Sequence, residues 1–209
     1  MEATSVTLYV DPVCPFAWIT SRWLAEVEAR RPLRVECRVM SLSVLNEGRE
    51  LEPWYREFND RAWGPARVAA AVQQDHGAEA FRRFYEAFGR HHHVGGDRDQ
   101  PRVLAAALAE AGFAAGLAAE LLRTSGAGEG SAAVDDVLRA THDEVRALVG
   151  EELGTPVLVV DGAAFFGPVA TGIVRGEEAA ELFDAVRVLG RCPDFTELKR
   201  GRTRALSFT

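Results

Sequence analysis

Long apolar runs are missing from this 209-residue chain, and none approaches the length that crosses a bilayer. The first residues, Met1-Glu2-Ala3-Thr4-Ser5-Val6, carry no basic stretch and no extended apolar segment, so no secretory signal is expected. Cysteine is sparse. Cys14, Cys37 and Cys192 are too widely spaced for a disulfide framework, and no pair has metal-ligand spacing, so neither a stapled secreted domain nor a metal site is expected. A reducing, cytoplasmic compartment fits that usage. A basic excess is also missing: 24 Lys+Arg against 31 Asp+Glu leave a net charge of -7, which argues against a general nucleic-acid surface. Lysine itself is nearly absent, Lys199 being the one example, and isoleucine and asparagine are scarce while Ala, Gly and Arg abound. That bias reflects a GC-rich coding sequence rather than a demand of the fold, and it weakens arguments from alanine-rich helices. No repeat period is visible.

What is present is a soluble composition, 47% hydrophobic and 26% charged, in a chain long enough for one domain or a domain with a large insertion. It is organised around Asp11-Pro12-Val13-Cys14-Pro15-Phe16-Ala17-Trp18. A short apolar strand, Val6 to Val10, runs out just before it, and a helix from Pro15 to about Arg30 begins inside it. Pro15 suits the first helical turn, where its missing N–H would have no partner. Cys14 then faces free backbone N–H groups and the positive end of the helix dipole. Such a place favours thiolate over thiol, so Cys14 is expected to be nucleophilic near neutral pH. The bland alternative is a small buried cysteine in a packed turn.

The helix carries Trp18, Ile19, Trp23 and Val27 as an apolar stripe and stops at Arg31-Pro32. Residues 34–40 alternate polar and apolar, a second strand with Val35, Cys37 and Val39 on one face, which makes Cys37 a core residue. Strand, helix, strand is a βαβ unit with an expected right-handed crossover. Residues 41–52 read as a loop leaving the sheet, and about ninety helical residues follow. Gly77 to Arg90 carries the aromatic stripe Phe81, Phe84, Tyr85 and Phe88. Asp99 is the expected N-cap of the next helix and Gly112 its end. Leu117 and Leu121 sit on a short helix, residues 126–130 form a connection, and Ser131 caps a long helix. The sheet resumes at 154–160, Asp161-Gly162 makes a two-residue hairpin turn of type I′, and 163–166 returns antiparallel. Gly176 to Leu189 is a final amphipathic helix with Leu182, Phe183, Val186 and Leu189 inward. A tail with Cys192-Pro193 follows.

Cys-Pro at the first turn and Thr155-Pro156 before the third strand resemble a thioredoxin fold with a helical insertion, as in the DsbA-like superfamily. Three further blocks sharpen the likeness: Asp11-Pro12-x-Cys14-Pro15-x-x-Trp18-Ile19-Thr20-Ser21-Arg22-Trp23, Val39 to Asn46, and Phe165-Phe166-Gly167-Pro168-Val169. With them the chain resembles the actinobacterial mycothiol-dependent reductase group, which includes enzymes described as mycothiol-dependent nitroreductases. The likeness spans most of the chain and is loosest over the insert. It implies an α/β, thioredoxin-like fold of order β-α-β, helical insertion, β-β-α. Residues 1–52 and 153–209 would form the thioredoxin-like domain and 53–152 the inserted helical subdomain. Read alone, Thr155-Pro156 is an ordinary trans proline opening a strand. The resemblance instead implies a cis bond facing Cys14, with the Thr155 backbone free to pair with an extended thiol substrate.

Ala17 departs from the Cys-x-x-Cys pattern, in which the second thiol attacks the mixed disulfide formed by the first. Monothiol chemistry remains, with release by an external thiol; by resemblance that thiol is mycothiol, a co-substrate rather than a bound cofactor. Pro15, Phe16, Trp18, Asn46, His93, Thr155 and Pro156 are the expected thiol- or substrate-binding residues. Of Phe16 and Trp18, one packs in the core and the other faces substrate. Asn46 orients either a loop or a ligand. His91-His92-His93 point in different directions, which speaks against a metal; they form a loop at the end of the aromatic helix, with His93 either in that loop or lining the cleft.

The leading expectation is a cytoplasmic oxidoreductase that exchanges disulfides with mycothiol or uses it to reduce small electrophiles, acting on small-molecule or protein disulfides. Neither nucleic acid nor membrane is an expected partner, and monomer and homodimer both stay open. Two other readings are a relative of kappa-class glutathione transferases and 2-hydroxychromene-2-carboxylate isomerases, which commonly carry serine at this turn, and a non-catalytic thioredoxin-like binding module.

Overall fold

The computed structural model describes residues 3–124 and 132–209. Its sheet has four strands in the order β2-β1-β3-β4. β1 (Thr4–Val10) and β2 (Leu33–Val39) run parallel, with Leu8 opposite Cys37 and Val10 opposite Val39. β3 (Val157–Val160) lies antiparallel on the other side of β1, and β4 (Ala163–Phe166) pairs antiparallel with β3. The β3–β4 connection needs positive φ at both turn residues, and Asp161 (φ 51°) and Gly162 (φ 82°) supply it. This type I′ hairpin and the parallel βαβ start follow the expectation from the sequence.

α1 (Pro15–Glu28) crosses from β1 to β2, and α7 (Gly176–Gly190) packs beside it, where the Trp23 indole N–H donates to the Ala179 carbonyl. Between β2 and β3 the described residues are mostly helical. α3 (Pro53–Gly89) lies over β2 and is followed by a π-helical turn, Arg90–Val94. α4 (Gln100–Glu110), α5 (Ala115–Thr124) and α6 (Ala132–Val149) pack outside it. The Asp99 carboxylate caps α4 by accepting the Arg102 N–H, and Gly112 closes it at φ 90°. Leu8, Val39 and Val157 from the sheet share one apolar cluster with Phe81, Phe84, Tyr85 and Phe88 from α3 and Leu138 from α6.

Three expectations are corrected. Residues 41–52 are not all loop. The Ser41 hydroxyl accepts the Ser43 and Val44 N–H groups and starts a short helix, α2 (Leu42–Leu45), because a serine there satisfies otherwise unpaired helix N–H groups. The aromatic helix does not begin at Gly77: α3 starts at Pro53, and Gly77 (φ 82°, ψ 174°) is a kink within it. The histidine run is a helical continuation, not a loop. The expected connection at 126–130 and the Ser131 cap lie outside the described residues.

Candidate active site

Cys14 occupies the N-cap of α1 in an extended backbone (φ -75°, ψ 115°), with Pro15 in the first helical position. β1 ends four residues earlier, so the end of the sheet and the start of α1 together fix the turn that carries Cys14. The turn is braced from beneath by Asp11. Its carboxylate accepts the Val13 N–H at 2.9 Å and the Leu42 N–H at 2.7 Å, and its carbonyl accepts the Cys14 N–H at 3.0 Å. Asp11 is fully buried and forms no ion pair among the described residues. Burial pushes its carboxyl up to about 7, against the pull of the Leu42 and Val13 N–H groups.

The Cys14 Sγ points at the backbone of Thr155, whose carbonyl accepts at 3.3 Å. The Thr155–Pro156 bond is cis, and so is Gly167–Pro168. Sheet pairing brings this segment to Cys14 from 141 residues away. The expected activation of Cys14 is outweighed. Burial pushes the thiol from its ordinary value up to about 11; the Thr155 side chain and the Ala17 and Phe16 N–H groups pull it down, and the Asp11 charge adds to the rise. The helix N-terminus acts in the anticipated direction, but at a buried site the loss of hydration is the larger effect. Buried as it is, Cys14 is held as a thiol near neutral pH.

His93 reaches the same turn from the π-helical stretch. A carbonyl can only accept, so the neutral His93 ring donates its Nε2–H to the Pro12 oxygen at 2.9 Å. Burial holds its pKa down to about 3, helped by the neighbouring His92. The other two histidines diverge: His91 meets Glu110 and His92 stacks on Phe88. No cluster of potential metal ligands forms among the described residues.

The sequence left open which of Phe16 and Trp18 faces substrate. Trp18 lies in the core and does not line an open surface. It stacks on His93 with centroids 5.8 Å apart, meets Tyr85 edge-on at 6.1 Å, and abuts Gly89, where any Cβ would fall 2.1 Å from the indole. Three residues after Pro15 on a helix points inward here, whereas Phe16 is half-buried at the rim, with the Arg202 guanidinium 4.3 Å above its ring. Asn46 is also buried. Its amide donates to the Leu42 carbonyl, the Tyr55 hydroxyl and Asn59, so it orients the α2–α3 connection. Cys14, Pro15, Phe16, His93, Thr155 and Pro156 therefore converge on one turn, with Trp18 beneath it and Asn46 in the supporting layer. Ala17 is fully buried, and Cys192 is exposed just past α7.

Sequence reading missed Asp11 and the contacts of Arg202 and Phe208. Asp11 left a signal: an acidic residue ending an apolar strand, placed to accept the N–H two residues on. Arg202 and Phe208 left none, because nothing local ties them to position 16 or 93.

A four-stranded thioredoxin-type sheet carrying a cysteine at the N-terminus of its first helix, opposite Thr155-Pro156, defines a thiol-dependent oxidoreductase. Within that class, residues 13–200 match the model of the family described as mycothiol-dependent nitroreductase Rv2466c, and the chain belongs to this family. An uncharacterized protein of Mycobacterium tuberculosis, Rv2286c, is 30% identical over 97% of this chain and 84% of its own length. The fold is similar to a probable DsbA oxidoreductase from Streptomyces coelicolor (TM-score 0.59, 18% identity, 97% of this chain and 95% of the other). It is also similar to the cytosolic disulfide reductase DsbM from Pseudomonas aeruginosa (TM-score 0.52, 16% identity, 88% and 99%).

Proposed function

We propose that this protein is a cytoplasmic monothiol oxidoreductase in which Cys14 exchanges disulfides with mycothiol, or draws on it to reduce small electrophiles. The carrying observation is a cysteine at a helix N-terminus, beside the Thr155 carbonyl, with alanine where a resolving cysteine would stand. In the first step the Cys14 thiolate attacks one sulfur of a disulfide. A Cys14–S–S–R bond forms, the old S–S bond breaks, and its other half leaves as a thiolate. In the second step mycothiol attacks the substrate-derived sulfur of that bond, which frees Cys14 and leaves a mycothiol-containing disulfide. Reducing an electrophile by two electrons converts two mycothiol thiols into one disulfide.

Thr155 and Pro156 form one wall of this site, Pro15 and Phe16 the rim, and His93 and Trp18 the floor, while Asn46 orients the neighbouring connection. The block 53–152 acts as a helical insertion in a thioredoxin-like unit of 1–52 and 153–209, and it supplies His93. The cytoplasmic assignment is supported by three free cysteines, one of them exposed. No described helix is long and apolar enough to cross a membrane.

Intact mass after incubation with mycothiol disulfide tests the reading. One mycothiol adduct should map to Cys14 and persist until free thiol is added, and Cys14→Ser should take up none. An unmodified wild-type protein would refute the assignment, and release without added thiol would refute the monothiol step.

A further inference from the structure

The chain does not stop at α7. Residues 191–209 run back across the molecule as an irregular segment. They are exposed throughout except at two phenylalanines. Phe195 meets the ring of Phe165 on β4, with centroids 6.4 Å apart. Phe208 packs on the His93 ring at 5.6 Å, from a chain position 115 residues further on (208 − 93). Between them, Arg202 lies over Phe16 and the Ser207 N–H donates to the Thr171 carbonyl at 2.8 Å. Two of these contacts of residues 202–208 fall on or beside the Cys14 site, since Phe16 is two residues from Cys14 and His93 is bonded to the turn that carries it. Arg202, Ser207 and Phe208 also lie beyond the 13–200 stretch that the family model matches.

We propose that residues 202–208 are a lid on the Cys14 site, seated by Phe208 on His93 and Arg202 on Phe16, which must lift before a thiol or disulfide can reach Cys14. An exposed segment held by the Phe208 ring, half-buried against the core edge and His93, by one cation–π contact and by one backbone hydrogen bond sits toward the low end of the local-opening scale. The strands and helices that bury Cys37 have no such release. Lifting this lid rehydrates the nucleophile turn, and the N–H groups of α1 can then stabilise the thiolate that burial suppresses. Opening and activation thus become one event, and a closed Cys14 is spared from oxidants when no substrate is bound. The role of Cys14 as nucleophile rests on the function proposed above; the lid itself does not.

Alkylation by iodoacetamide at pH 7.5, mapped by peptide mass spectrometry, separates the two. The chains to compare are the full chain, Phe208→Ala, Arg202→Ala, and a chain ended at Gly201. Cys14 should react about tenfold faster in Phe208→Ala, as expected for losing one ring stack from an opening equilibrium, and faster still in the shortened chain. Arg202→Ala should show a smaller rise. Cys192 and Cys37 should not change. Equal Cys14 rates in all four chains would overturn the lid. So would a parallel rise at Cys37, which would mean general loosening. Faster Cys14 alkylation with no mycothiol adduct in any chain would leave the lid standing and reject the proposed function.

Discussion

Cys14 and Cys37 are equally buried, at 4% and 5% exposure, and burial pushes both thiols up to about 11. Exposure alone does not separate the two cysteines in this molecule. Their surroundings do. Cys37 sits mid-strand in β2 under α3, where Gln73 accepts the Val39 N–H and Arg82 pairs with Glu28. Every group around it belongs to a strand or a helix, and the Arg82 and Arg22 charges that favour its thiolate are themselves paired to Glu28 and Glu86. Cys14 sits at the open end of a helix, with the Phe16 and Ala17 N–H groups aimed at its sulfur, and its flanking residues carry a segment with few contacts of its own. What separates the two sites is the helix end beside Cys14, which has no counterpart at Cys37.

The largest effect expected is the contrast between Cys14→Ser and Cys37→Ala. The first should abolish disulfide exchange in a turnover assay with mycothiol disulfide. The second should keep it and lower stability by about 1 kcal/mol, as for a small core truncation measured by urea melts. Lost exchange in a folded Cys37→Ala would erase the distinction.

Ala17→Cys comes next. Position 17 lies one helical turn past Cys14, so a bond requiring Cβ atoms roughly 3.5–4.5 Å apart can close there, while Cys37 has Leu8 opposite it and no such neighbour. Under oxidising buffer the variant should lose two titratable thiols and gain dithiol reductase activity toward a model disulfide. Four reactive thiols remaining after denaturation would refute the turn geometry.

A smaller shift is expected for Asp11→Asn. The Asp11 charge raises Cys14, so its removal should move the Cys14 alkylation profile to lower pH and raise the rate at pH 7 severalfold, with Cys37 unmoved. Asp11 has a second signature. Its folded value, about 7, lies above its ordinary 3.8, so the stability it contributes is complete below pH 3.8 and is lost as pH rises through 7. Urea melts at pH 4, 5.5 and 8 should show that loss in the wild type and not in the variant.

The smallest effect concerns His93. Its folded value, about 3, lies below the ordinary 6.5, so here stability falls as pH drops from 6.5 toward 3, by at most about 1.4 kcal/mol per pH unit. His93→Phe keeps a ring against Trp18 and Phe208 and should flatten that acid limb. An unchanged slope would place the proton uptake elsewhere, with His92, held down to about 4, as the next candidate.

Much of this was legible from local pattern. Alternation marked β2, the Asp161-Gly162 pair specified a turn with two positive φ values, and Asp99 announced a helix start, because strand pleat, turn dihedrals and orphan N–H groups are settled within a few residues. Cys14-Pro15 likewise marked the strand-to-helix junction where α1 begins. What sequence could not decide is the protonation state of Cys14. Hydration, not the helix dipole, sets the Cys14 proton, and hydration depends on groups brought in from far away: Thr155 from across the sheet and His93 bonded to Pro12 across 81 residues. The same holds for Trp18, inward because α3 presents Gly89 to it, and for Asp11, whose carboxyl rises because the fold buries it. A dipole and a cap are properties of one helix end; desolvation is the sum of everything packed around it, and that sum exists only once the chain has folded.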